Sequence, residues 1–241
     1  MPHLPLPESD HAPLGEPAEM ILLTLARAEE NQRALAIADL AELDFSPAPY
    51  LQALIAQALI ASDRSGVLTL TDAGRERAVA LLRRHRLVER HFTDVLGLDW
   101  AQAHEHADQL EHHLSADAEQ TIADQLGNPE TCPHGNPIPS ARLADYAPQL
   151  LLADCAPSTR ATIVRINSET PDALRHLATL GLLLNTEIEI ENQAPFGGPV
   201  MVRVGRAHYA LGRNLAARIW VKEISKPKFQ SQPAEFLGFE I

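Results

Sequence analysis

Residues 104–115 constrain this chain more than any other stretch: His104-Glu105-His106-Ala107-Asp108-Gln109-Leu110-Glu111-His112-His113-Leu114-Ser115. On a helix, residues three and four apart share a face. Asp108, Glu111 and His112 then point one way, and His104 sits one turn before Asp108. A second pair, His85 and Glu89, is also one turn apart. Carboxylates and imidazole on one stripe are the donor set of a first-row metal site. The same spacing describes a solvated polar helix face, so the stretch has to be read in its context.

The 241 residues suffice for about two or three small domains. Hydrophobic residues make up 45% and aromatics only 5%, so the core is built from Leu, Ala, Ile and Val. A formal net charge of −12 argues against a protein that coats nucleic acid indiscriminately. It suits cation binding and leaves room for a local DNA-binding face. Two cysteines, Cys132 and Cys155, do not make a disulfide scaffold. No apolar run is long enough to span a bilayer, and the Pro-rich start lacks the charged n-region of a signal peptide. The expectation is a cytoplasmic protein with no membrane insertion.

In chain order, residues 1–17 read as a disordered tail rich in Pro and acidic groups. An amphipathic helix over 19–27 and a short one over 37–43 follow. Asp44-Phe45-Ser46-Pro47 is a turn with Ser46 as candidate N-cap. The third helix has Leu51, Leu54, Ile55 and Leu59 on its apolar face, and two short strands flank Asp63-Arg64-Ser65-Gly66. Three helices and a β-hairpin over residues 18–80 are the winged helix-turn-helix plan. For bases and phosphates, the recognition helix offers Ser46, Tyr50 and Gln52, and the wing offers Arg64. The helix itself has no Lys or Arg, and Pro47 and Pro49 crowd its start. A winged helix used only for packing is the rival reading. Residues 81–141 read as a helical domain. A long helix opens at Asp72-Ala73-Gly74, Asp99 caps the helix of the opening stretch, and Ser115 starts another. The rigid loop Cys132-Pro133-His134-Gly135-Asn136-Pro137-Ile138-Pro139 ends the domain.

The chain over roughly residues 18–140 resembles the diphtheria-toxin-repressor-like family of metal-dependent repressors. The resemblance rests on Glu19-Met20, Arg84-His85-Arg86-Leu87-Val88-Glu89-Arg90, Leu110-Glu111-His112-His113-Leu114-Ser115, and the loop over 132–139, in that order. It implies a homodimer with two metal sites per subunit. Met20, Asp108, Glu111 and His112 would form the site that switches DNA binding, and His85, Glu89 and His104 its neighbour. Arg86 and Asn136 match anion-binding positions. Iron-sensing members tend to have Cys where this chain has Asp108. Manganese-sensing members put a carboxylate there, but also Asp where this chain has Met20 and Glu where it has Leu23. The chain mixes the two patterns, so Fe2+ or Mn2+ is the implied cofactor. A core methionine is the bland alternative for Met20; Cys132 beside His134 allows a zinc or redox role, and a structural thiol is the reading preferred. His106 and His113 lie off the stripe.

Residues 142–157 read as a linker, and 158–225 as several short strands with one or two short helices, an SH3-like barrel. This part resembles the FeoA-type domain through Leu180-Gly181-Leu182, Ile188-Glu189-Ile190, Ala194-Pro195-Phe196-Gly197-Gly198-Pro199 and Val202-Arg203-Val204-Gly205. The resemblance implies that this domain lends a carboxylate to the second metal, from Glu169 or Asp172, while Ala173 cannot supply the amide. Residues 226–241 read as a loose tail. The fold expected is mainly α with small β: winged helix, helical metal-binding and dimerisation domain, SH3-like barrel. The function expected is metal-dependent repression through operator DNA, with no enzymatic chemistry. The alternative is a metal-sensing partner of a ferrous-iron transporter that acts through the FeoA-type domain and binds no DNA.

Overall fold

The computed structural model describes residues 14–31, 33–140, 149–167 and 170–224. Residues 1–13 of the tail expected over 1–17, the tail expected over 226–241, residues 142–148 of the expected linker, and Glu169 lie outside the described residues.

Helix α1 spans Glu16–Glu30, starting inside the stretch expected to be a tail. Pro17 sits in its first turn, where a missing N–H costs nothing, and Glu16 and Glu19 complement the helix dipole. Its inner face buries Ile21, Leu22 and Leu25. Strand β1 (Leu35–Ala36) follows, then a 3-10 helix, Ile37–Glu42, where an α-helix was expected. The Asp39 carboxylate accepts a hydrogen bond from the Ala36 N–H at 2.7 Å and fixes its first turn.

Helix α2 (Ala48–Ala56) is the expected recognition helix. Pro47 is its N-cap and no side chain caps it, so the expectation for Ser46 as cap fails. Strands β2 (Ile60–Ser62) and β3 (Val67–Leu70) form the wing, and β1 adds a third strand in the order β1-β3-β2. The wing turn is held by Asp63, whose carboxylate accepts from the Ser65 and Val67 N–H groups.

Helix α3 (Asp72–Asp94) is capped by Thr71, one residue before the expected cap. Its Oγ1 accepts from the Gly74 N–H at 3.0 Å. Gly74 packs against the Leu59 carbonyl so closely that a Cβ would lie 1.8 Å from the oxygen. Only glycine lets the long helix leave the head there. Helix α4 (Trp100–Leu110) is capped by Asp99, and α5 (Ala116–Gln125) by Ser115, both as expected.

The C-terminal part comprises β4 (Leu150–Leu151), β5 (Thr159–Ile166), α6 (Pro171–Thr179), β6 (Glu187–Gln193), β7 (Val200–Val204), β8 (Ala207–Leu211), α7 (Arg213–Ala216) and β9 (Ile219–Glu223). Its antiparallel sheet runs β4-β9-β5-β6-β7-β8. The SH3-like barrel is therefore not closed, with β4 and β8 as edges among the described residues. β4 lies inside the expected linker: Leu150 pairs with Val221, and Leu152 is buried, so the apolar run joins the sheet.

Two apolar cores result. One lies in the head, around Ile21, Leu40, Leu54 and Leu82. The other lies in the C-terminal sheet, around Ile163, Leu174, Val202 and Ile219, and takes in Ala101 of α4. The loop over 131–137 closes the space between α3, α4 and β5. Gly135 has φ +80° there, and a Cβ on it would lie 2.3 Å from the Val164 carbonyl oxygen. The Ile166 N–H donates to the His134 carbonyl at 2.9 Å.

Candidate metal centre

Helices α3 and α4 face each other across a cluster of buried ionisable groups. His85 and Glu89 come from successive turns of α3, and His104 comes from α4. Thr71 and Asp99 set the starts of these helices and so the heights at which the side chains meet. Glu89 Oε1 is ringed by three imidazole nitrogens: His104 Nδ1 at 2.7 Å, His85 Nε2 at 2.9 Å and His134 Nδ1 at 3.3 Å. The other side of His85 meets Glu111 Oε2, 2.5 Å from Nδ1, and Asp108 Oδ1 at 3.3 Å. Asp108 Oδ2 lies 3.6 Å from His104 Nε2.

The electrostatics follow from this packing. Burial works against charge on His85, but Glu89 and Glu111 outweigh it and raise its pKa to about 10. Burial likewise opposes charge on His134, and Glu89 together with Cys132 raises it to about 9. Burial would raise Glu89, yet His134, His85 and His104 hold it well below the usual carboxylate range. Without metal, protons on imidazoles supply the positive charge that these carboxylates need.

The donor set fits a divalent ion. His85, Asp108 and Glu111 bring ligand atoms within 4.8 Å of one another; so do His85, Glu89 and His104, and so do Glu89, Cys132 and His134. Glu89 Oε2, Asp108 Oδ1, Glu111 Oε1 and His134 Nε2 are buried and accept or donate no hydrogen bond. Such orphaned atoms are costly unless something else satisfies them. Imidazole and carboxylate suit Fe2+ or Mn2+; the Cys132 sulfur makes the third group softer.

The two groups of ligands expected adjoin one another. Helix α4 ends at Leu110 with Glu111 as a C-cap still in helical conformation, so Asp108 and Glu111 both reach His85, and His112 follows in a turn with Nε2 3.5 Å from Glu111 Oε1. Glu111 turns inward and is fully buried, whereas His112 Nδ1 lies 2.6 Å from Glu19 on α1. Burial opposes charge on His112, and Glu19 with Glu111 raises its pKa above the ordinary value. His85 joins both groups into one continuous cluster. Met20 is half-buried and lines a cleft that Asp108 also lines. His106 and His113 are exposed, His113 beside Glu16 at 3.2 Å.

Arg86 and Asn136, the expected anion-binding residues, each donate to protein acceptors. The Arg86 guanidinium donates to Glu30 at 2.9 and 2.5 Å and to the Pro137 carbonyl at 2.6 Å. The Asn136 amide donates instead to the Ile166 carbonyl at 3.2 Å. Neither His134 nor Glu19 is among the expected ligands. The Cys132–His134 pair suggests a zinc or redox role, with a structural reading preferred; the structure sets His134 against Glu89, with Trp100 stacked on its ring at 5.4 Å. Glu19 had no local signal, since its partner is far along the chain.

On the head, Ser46, Gln52 and Arg64 are exposed. Tyr50 is half-buried and packs edge-on against Phe45, with ring centroids 5.6 Å apart, which gives it a core role. Residues 46–70 contain one basic side chain, Arg64.

A winged head, a buried imidazole–carboxylate centre and a C-terminal antiparallel sheet define a winged-helix metalloregulator architecture. Residues 71–140 match the iron dependent repressor metal binding and dimerisation domain, and residues 150–223 match the FeoA domain. The chain is 33% identical to the iron-dependent repressor IdeR of Mycobacterium tuberculosis over 178 residues, 68% of this chain and 76% of that protein. It is 33% identical to the diphtheria toxin repressor of Corynebacterium diphtheriae over 195 residues, 73% of this chain and 85% of that protein. A solved manganese-dependent transcriptional repressor in complex with manganese superposes with a TM-score of 0.78 at 32% identity, covering 86% of this chain and all of that one. The protein therefore belongs to the iron-dependent repressor family, the diphtheria-toxin-repressor-like proteins.

Proposed function

We propose that this protein is a metal-dependent transcriptional repressor, a homodimer that binds operator DNA with Fe2+ or Mn2+ as co-repressor. The observation that carries this reading is the buried cluster of His85, Glu89, His104, Asp108 and Glu111, whose orphaned oxygens call for a cation. His85, Asp108 and Glu111 form the switch site, with Met20 and His112 at its rim. Glu89, His104, His134 and Cys132 form the second. We assign the head to residues 18–80, the metal and dimerisation region to 81–141, and the FeoA-type region to 158–225. A divalent ion held by these residues would supply the positive charge that imidazole protons supply in its absence.

The rest of the mechanism belongs to the chain. The cluster touches the head through α1, by Glu19 on His112 and by Arg86 of α3 on Glu30. A change in how Asp108 and His112 are held is thus felt by the helix on which the reading head is built. Whichever ion binds the DNA-competent arrangement better shifts the population toward it. Ser46, Gln52 and Arg64 are exposed on the head and available to meet DNA, with the half-buried Tyr50 beside them. No helix among the described residues is long and apolar enough to cross a membrane; with operator DNA as partner, we place the protein in the cytoplasm. The related repressors give no support to a transporter partner or to an enzyme.

The test is a gel shift of the full chain on DNA from upstream of its own coding region, with and without Fe2+ or Mn2+. Retardation that depends on metal is expected. Retardation at no metal concentration would refute the proposal.

A further inference from the structure

We propose that Arg27 is a resident counter-cation of the metal centre, set on α1, which fixes how much divalent metal is needed to occupy Asp108. This deepens the metal-responsive reading above and rests on it.

Arg27 belongs to none of the elements that supply the cluster. It sits on α1, seven residues after Met20 and so on the same face of that helix. Its side chain is only 8% exposed, and Nη2 lies 4.0 Å from Asp108 Oδ1. That oxygen is the one that accepts no hydrogen bond and lies 3.3 Å from His85 Nδ1. The charge on Arg27 also opposes protonation of His85. Asp108 is therefore approached by imidazole from the metal helices and by guanidinium from the head.

The two cations behave differently when a metal arrives. An imidazole gives way by losing its proton to solvent. A guanidinium stays charged at every accessible pH. Charges about 4 Å apart in a partly buried site interact strongly. Arg27 therefore neutralises part of Asp108 in the metal-free protein and repels a dication at the same place. It can relieve that repulsion only by swinging away. The space exists: Arg27, Met20, Thr24 and Asp108 line a cleft of about 540 Å³ that opens between α1 and Trp220 of β9. The threshold for metal is then set by a residue outside the ligand set. The same movement alters how α1 is held.

The test is calorimetric titration of MnCl2 into the full chain as wild type, Arg27→Gln and Arg27→Lys, following the binding event that Asp108→Ala removes. Arg27→Gln is expected to bind Mn2+ about tenfold more tightly, and Arg27→Lys to stay close to wild type because it keeps the charge. Metal-free Arg27→Gln should also melt below wild type, and the gap should shrink once Mn2+ is bound. A purely structural role would lower the melting temperature in both states without tightening the metal. Should Arg27→Gln not fold, Arg27→Met removes the charge at similar length and serves the same comparison. Equal or weaker Mn2+ affinity in the neutral variant overturns this inference alone. Absence of any Mn2+ binding by wild type overturns the metal-site reading, and this inference with it.

Discussion

The head and the metal centre are packed by opposite means. The head buries aliphatic side chains such as Leu22, Leu40, Leu54 and Leu59 around α1 and α2, and its exposed recognition surface is nearly uncharged. The region between α3 and α4 buries three imidazoles and two carboxylates, several of whose atoms lack a hydrogen bond. An apolar core has no group that binds a proton or a metal, so its contribution depends on neither. A buried ionic cluster responds to protons and metal, because its members can exchange one counter-charge for another. The fold thus places a rigid reader beside a responsive centre, and α1 belongs to both.

The largest expected effect that can break this contrast is loss of the central carboxylate. Glu89→Ala leaves His85, His104 and His134 facing one another and should destabilise the metal-free protein by about 3–5 kcal/mol, read as a fall in urea midpoint. Leu54→Ala in the head should cost about 2–5 kcal/mol to the same degree with or without Mn2+. If the Glu89→Ala cost is no more sensitive to metal than the Leu54→Ala cost, the contrast is wrong.

The pH dependence sharpens it further. His85 is raised from 6.5 to about 10, so its stabilising contribution is complete below pH 6.5 and lost as pH rises through 10. Glu89 is lowered from 4.5, so its contribution is complete above pH 4.5 and lost as pH falls through its folded value. The metal-free protein should be most stable between these limits. Metal binding must expel imidazole protons, so its affinity should rise with pH by about tenfold per unit for each proton released. Calorimetry in buffers of different ionisation enthalpy between pH 6 and 8 counts those protons. Affinity that does not change with pH would mean that the imidazoles are already neutral.

The smallest effect separates packing from reading in the head. Tyr50→Phe keeps the edge-on contact with Phe45 and should leave both stability and operator affinity unchanged. Tyr50→Ala should lose about 1 kcal/mol or more of stability. A loss of operator affinity in Tyr50→Phe, measured by anisotropy, would restore the hydroxyl to the DNA interface.

Much of this was legible in the residues themselves. Helical spacing exposed His85/Glu89, and the caps Asp99 and Ser115 located their helices within a residue. The wing was visible because Asp63-Arg64-Ser65-Gly66 is a turn flanked by apolar residues. What escaped detection depended on distance along the chain. Helical spacing placed Asp108 and Glu111 together, and both reach His85, but it did not show that α4 ends at Leu110 or that His85 adjoins both expected groups of ligands. Glu19 on His112, Arg27 on Asp108 and Glu30 on Arg86 join residues remote in sequence. Only tertiary packing brings such pairs together, and no local period records it. β1 and β4 escaped for a related reason: each is two residues long and owes its strand geometry to a remote partner.

The central claim is that occupation of the buried centre and operator binding are linked. Fluorescence anisotropy on upstream operator DNA, titrated with Mn2+ for wild type and Asp108→Ala, tests it most directly. The account predicts that Mn2+ tightens wild-type binding by about 100-fold and leaves Asp108→Ala at its metal-free affinity. Asp108→Ala responding to Mn2+ as wild type does would contradict it.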